Sequence, residues 1–135
     1  MKRQPRMHQL QPGEKATITV YAGAIYSPEA IAVQVGEEYH VWCDKGQRWV
    51  DMVIPASPRG YRNPLANIFG QRVKGVKCFC LCAAYNGSDS DAFGIGMNKT
   101  FVTTQDGTLS FFANDVRGYE WNNWGKIRVN VKRVR

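Results

Sequence analysis

The stretch KIRVNVKRV, residues 126–134, decides the fold class. Ile127, Val129 and Val131 alternate with Arg128, Asn130 and Lys132, and a period of two places successive side chains on opposite faces of an extended strand. A helix would need apolar positions three and four residues apart, and no window of helical length in this chain supplies them.

The same alternation recurs upstream. KATITVYA (15–22) reads as the first strand and AIAVQV (30–35) as the second, with Ile31, Val33 and Val35 on one face. GEE then turns into YHVWC (39–43), for which a hairpin is the simplest connection. KCFCLCAAY (77–85), KTFVTT (99–104) and TLSFFAN (108–114) are further strands. The connections PASPRGYRNP (55–64), NGSDSDAFGIG (86–96) and QDG (105–107) are dense in Pro, Gly, Asn and Asp, which exclude a helix or an inner strand there. Seven or eight short strands at this spacing predict an all-β domain, a two-sheet antiparallel β-sandwich with jelly-roll-like connections. Each sheet is expected to have one buried and one wet face.

A chain of 135 residues, 44% hydrophobic and 21% charged, has the size and balance of one domain with its own core. Residues 1–14, polar and interrupted by Pro5 and Pro12, read as a loose basic leader, and 15–135 as a single β-sandwich domain. No apolar run approaches the length of a membrane span, and MKRQPRMHQLQPGEK lacks the apolar region of a secretory signal. As written the chain reads as soluble and cytoplasmic, although a mature secreted form would look the same.

The net charge is +7, yet eight of the 18 Lys and Arg residues lie near the two ends: Lys2, Arg3, Arg6, Lys126, Arg128, Lys132, Arg133 and Arg135. The remaining middle is nearly neutral. Basic ends stick weakly to any polyanion, and no nucleic-acid-reading module is present, so no specific nucleic-acid partner is expected.

Three of the four cysteines, Cys78, Cys80 and Cys82, alternate with Phe79 and Leu81. On one strand they would share a face, too parallel for a disulfide among themselves. They are expected to be reduced and at least two of them buried. Zinc-type spacing is absent: no Cys-x-x-Cys occurs, and His8 and His40 match no ligand pattern. The serines occupy no nucleophile elbow, and no carboxylate pair is spaced as an acid and a base, so the expected function is non-enzymatic.

NDVRGYEWNNWGK (114–126) is different. Its Asn, Asp and Gly suit a turn, but two tryptophans in a connection need either a packing partner or a ligand. Asp115, Asn122 and Asn123 gather hard oxygen donors, and calcium accepts six to eight such ligands. Trp121 or Trp124 could then cover the apolar face of a sugar ring. The same residues also make a plain hairpin with the tryptophans capping the sandwich, and from spacing alone that hairpin reading leads.

FFANDVRGYEWNNWGKIRVNV (111–131) resembles the family of bacterial calcium-dependent galactose lectins of the PA-I galactophilic type, among galactose-binding-like sandwich domains. The family shows a strand, Asn-Asp-Val-Pro-Gly, Asn-Asn-Ser-Gly and a final strand. AIAVQVGEEYHVWCDKG (30–46) and KGVKCFCLCAAYNG (74–87) are similar to its second and central strands. The resemblance implies a calcium ion held by the side chains of Asp115, Asn122 and Asn123 and the carbonyls of Tyr119 and Lys45. It further implies a carbohydrate or glycan as partner and is compatible with a homo-oligomer; from the chemistry of the loop itself, Asp115 and Asn123 would bond the sugar's hydroxyls and Trp121 or Trp124 would stack on its ring. The chain departs from the family in Arg117 for Pro, in Trp121 and Trp124 for small residues, and in SPRGYRNPLANIFGQR (57–72), which lacks the galactose-gripping His and Gln. The alternative reading is a structural or assembly sandwich that has lost metal and sugar and uses the Trp-rich loop for protein contact.

Overall fold

The computed structural model describes residues 6–63, 70–116 and 118–135. Within them the chain forms short strands and two single-turn 3-10 segments. The strands are β1 (Arg6–His8), β2 (Lys15–Tyr21), β3 (Glu29–Val33), β4 (Glu38–Trp42), β5 (Trp49–Asp51), β6 (Ile54–Ala56), β7 (Leu81–Tyr85), β8 (Phe93–Gly94), β9 (Asn98–Val102), β10 (Gly107–Ala113), β11 (Asn123–Trp124) and β12 (Lys126–Arg133). A five-stranded sheet runs β1-β3-β10-β7-β8, a four-stranded sheet β2-β12-β4-β9, and a small ribbon β11-β5-β6 lies apart from both. All pairings are antiparallel except β1 with β3. The all-β sandwich expected from alternation is the fold.

The core lies between the two large sheets. Ile127, Val129 and Val131 of β12 meet Ile31 of β3, Leu81 and Ala83 of β7 and Leu109 and Phe111 of β10, all fully buried. Apolar area removed from water at about 25 cal/mol per Å² is the main favourable contribution to such a sandwich.

Three expectations are corrected first. GEE is no hairpin: β3 pairs with β1 and β10, whereas β4 pairs with β12 and β9, so residues 34–37 cross from one sheet to the other. Val35 is consequently exposed in that crossing. The strand placed at 77–85 starts only at Leu81, because Phe79 adopts φ 62° and breaks the extended run. PASPRGYRNP is not wholly a connection, since Pro55 lies in β6, an edge position that tolerates a missing N–H. Of the basic residues near the chain's end, Lys126, Arg128 and Lys132 are exposed on β12, an inner strand of its sheet, as the alternation of 126–134 predicts. Leader residues from Arg6 onward also make contacts: β1 pairs with β3, and Leu10 is buried in the core.

The expected wet face is also missing from the five-stranded sheet's centre. Cys80, Cys82, Ala84 and Phe112 form a second buried cluster with Val73, covered partly by Val76 and Tyr26. Arg72 closes it, its guanidinium 3.6 Å from the Phe112 ring centroid and bonded to both carboxylate oxygens of Asp89 at 2.8 and 2.9 Å. Alternation thus survives the kink at Phe79. Phe79, Leu81 and Ala83 enter the main core, while Cys80 and Cys82 enter the second one.

Asn114 ties these layers together. It is fully buried, and its Oδ1 accepts the Val73 N–H at 2.9 Å. Its Nδ2 donates to the carbonyls of Val73, Val76 and Lys77 at 3.0, 3.1 and 3.2 Å. Asn114→Asp keeps the volume but turns a buried carboxylate oxygen toward three carbonyl oxygens in place of the amide that donates to them. Urea denaturation should show a loss of about 3 kcal/mol or more, the range for an unsatisfied buried polar group or charge.

Candidate functional site

The site grows from that anchor. β10 ends at Ala113, Asn114 is pinned, and Asp115 follows immediately at the mouth of a cleft of ≈ 390 Å³. Val116 bridges to Gln71, and Gly118 turns the chain at φ 96°. A 3-10 turn over Glu120–Asn122 then feeds β11, which pairs Asn123 with Asp51 and Trp124 with Val50. The β5–β6 hairpin thereby becomes the opposite wall, locked by the Met52 N–H donating to the Asn122 carbonyl at 3.0 Å.

The floor of the cleft is polar and the wall apolar. Asp51, Tyr61, Asp115 and Asn122 line the first; Met52, Val53 and Ile54 line the second, and all three of these are exposed. Asp115 Oδ1 accepts the Val116 N–H at 2.7 Å, and Oδ2 accepts Asn123 Nδ2 at 2.9 Å. The Asn123 amide is oriented by that bond and by a second, longer one to the Ala22 carbonyl. Its Oδ1, like that of Asn122, is buried with no hydrogen-bond partner. Buried amide oxygens are normally paired, and an unpaired one costs about 1–3 kcal/mol. Both oxygens belong to the loop that carries the Asp115 carboxylate.

Acidic groups are crowded around the cleft. Burial raises the Asp115 carboxyl above its ordinary range, and the negative charges of Asp51 and Glu120 add to the rise, against the bonds from Asn123 and the Val116 N–H. Burial likewise pushes the Cys78 thiol up to about 12, with the charges of Asp51 and Asp115 contributing. Tyr61 is raised by burial and by its hydrogen bond to Asp51 Oδ2.

Of the residues singled out in the sequence, Asp115, Asn122 and Asn123 come together, and Tyr119 stands half exposed on the rim. Lys45 is exposed in the β4–β5 connection and is not among the described residues lining the cleft. Trp121 and Trp124 are 77% and 61% exposed, so neither plugs the sandwich. Trp124 is nonetheless held, its indole N–H donating to the Met52 carbonyl at 3.1 Å. Arg117 and residues 64–69 of SPRGYRNPLANIFGQR lie outside the described residues. Asp51, Tyr61 and Cys78 were not found by sequence reasoning. Three-residue β5 is too short to show a pattern, and nothing local ties it to Asp115.

No protein-family model matches the chain, and no curated protein matches it. Among solved structures, the EclA N-terminal domain, a PllA-like lectin, superposes with a TM-score of 0.62 over 88% of this chain and 94% of that one. Sequence identity is 18%, so the likeness is one of fold, a lectin-like β-sandwich. Among the described residues no helix is long and apolar enough to cross a membrane.

All four cysteines are free and buried. Because the thiols of Cys43 and Cys78 are both pushed up to about 12 by burial, they carry almost no thiolate at neutral pH. A thiol reagent at pH 8 should therefore label the native protein only as fast as it unfolds, and rapidly in denaturant. Fast modification of all four thiols in the folded state would contradict this burial.

Proposed function

We propose that this domain is a non-enzymatic carbohydrate-binding module that engages its sugar through a calcium ion at the Asp115 cleft. The observation that carries the reading is the pair of buried, unpartnered amide oxygens of Asn122 and Asn123 beside the Asp115 carboxylate. These are hard donors of the kind calcium takes. The lectin-like fold supports the same direction, as does the named resemblance of residues 111–131. In this proposal Tyr119, which lines the cleft, adds a main-chain carbonyl.

Calcium bound there would offer open coordination positions to two neighbouring sugar hydroxyls. The chain's own part is to orient them. Asp115 and Asn123 accept hydrogen bonds from those hydroxyls, while Trp124 or Trp121, standing out of the surface, presents an apolar ring to the sugar's C–H face. The fixed indole of Trp124 lowers the ordering cost of that contact.

The alternative, an assembly module, draws on the exposed Met52, Val53, Ile54, Trp121 and Trp124. An apolar group of that kind marks an interface of some sort. Thermal melts in chelator and in millimolar calcium separate the two readings. Calcium at a hundred times its dissociation constant should stabilise the domain by about 2.7 kcal/mol. Asp115→Asn should remove most of that gain. Trp124→Ala should keep it while abolishing retention on immobilised glycans. An unchanged melting temperature together with concentration-dependent self-association would favour the assembly module instead.

A further inference from the structure

Beside the cleft lies a donor set of which the calcium reading uses only Asp115. Asp51 arrives on β5, Cys78 through its bridge with Tyr61, and Asp115 from the end of β10. One ligand atom from each of the three lies within 4.8 Å of the others. Cys78 Sγ stands 3.9 Å from Asp51 Oδ2, which also accepts the Tyr61 hydroxyl. Cys78 is 2% exposed and Asp115 7%. Two carboxylates in such a setting repel each other unless a cation sits near them. Among the described residues neither forms an ion pair with a Lys, Arg or His. The Asn123 side chain, more than nine-tenths buried, donates its Nδ2 to Asp115 Oδ2 at 2.9 Å and so fixes that carboxylate beside the other two groups.

We propose that Asp51, Cys78 and Asp115 form a centre for a thiophilic divalent metal, zinc in the first instance. Two carboxylates and one thiolate suit zinc's preference for a mixed oxygen and sulfur set of four, and three protein donors leave one position for an exogenous oxygen. Calcium and magnesium would gain nothing from the sulfur. The Cys78 S–H bond breaks as the sulfur–metal bond forms, and the proton leaves to solvent. Tyr61 is a positioning residue, fixing Asp51 through its hydroxyl. The inference rests on the cation site of the proposed function in one respect, the shared Asp115, and it stands or falls on Cys78.

The test uses the full chain, reduced and chelator-treated, titrated with cadmium as an ultraviolet reporter and with zinc by equilibrium dialysis. One equivalent of cadmium should produce a thiolate-to-metal charge-transfer band, and zinc should compete it away. Cys78→Ser should abolish the band, whereas Cys80→Ser, in the second buried cluster, should retain it. Asp51→Asn, at a half-buried position, should fold and bind about tenfold or more weakly, which keeps the test open should Cys78→Ser not fold. No band in the parent, or a band that survives Cys78→Ser, overturns the proposal. Calcium and glycan binding without a cadmium band would leave the proposed function standing alone; a cadmium band without either would do the reverse.

Discussion

One side chain carries much of this architecture. Asn114 spends both amide groups on the backbone of residues 73–77, and its own backbone bonds to Phe79 and Cys80. Those residues have no strand partner at that point, and Asn114 satisfies them together with Gln71 Nε2, which donates to the Val73 and Val76 carbonyls, and the Cys80 N–H, which donates to that of Lys77. By satisfying them, Asn114 helps hold segment 71–77 over the outer face of the five-stranded sheet. Asp115 and Cys78 come within reach of one another beside it.

The second buried cluster follows from that fold-over. Cys80, Cys82 and Phe112 face outward from the sheet, and without the covering segment they would meet water. The buried guanidinium of Arg72 would be costly alone. Here it stacks on Phe112 and Tyr26 and meets the Asp89 carboxylate through two bonds, while Tyr26 donates to the same carboxylate. A desolvated charge is tolerated when its partner is bidentate and its donors are used. This closure makes β7 and β10 a layer with protein on both sides, rigid ground from which the Asp115 loop projects.

The cleft then combines two opposed surfaces. Asp51, Asp115 and Asn122 line it with oxygen atoms. Met52, Val53 and Ile54 line it with exposed apolar groups, and Trp121 and Trp124 stand exposed close to Asn122 in sequence. In the proposed function a sugar, with hydroxyls on one side and C–H groups on another, meets both surfaces together. The β5–β6–β11 ribbon is what joins them, because its register sets Asn123 opposite Asp51 and Trp124 beside the hairpin turn.

Much of this was legible in the residues themselves. Alternation is a local property, and it identified the longer strands and the inward triad Ile127, Val129 and Val131. It also put Cys80 and Cys82 opposite Phe79, Leu81 and Ala83, but it is the latter that face the main core, and the cysteines are buried in the second cluster instead. Asp115, Asn122 and Asn123 stood out together because they sit within one loop. Alternation tells which faces are buried but not which strand lies alongside, so the separation of β3 from β4 into different sheets could not be read from AIAVQVGEEYHVWC. Nor could the second core, since an apolar face carries no mark of whether a sheet or a covering segment buries it. Asp51, Tyr61 and Cys78 reach Asp115 only through the β5–β11 ladder, the Tyr61–Cys78 bridge and the Asn114 anchor, hydrogen bonds between residues far apart in the chain that exist only once the sandwich has closed.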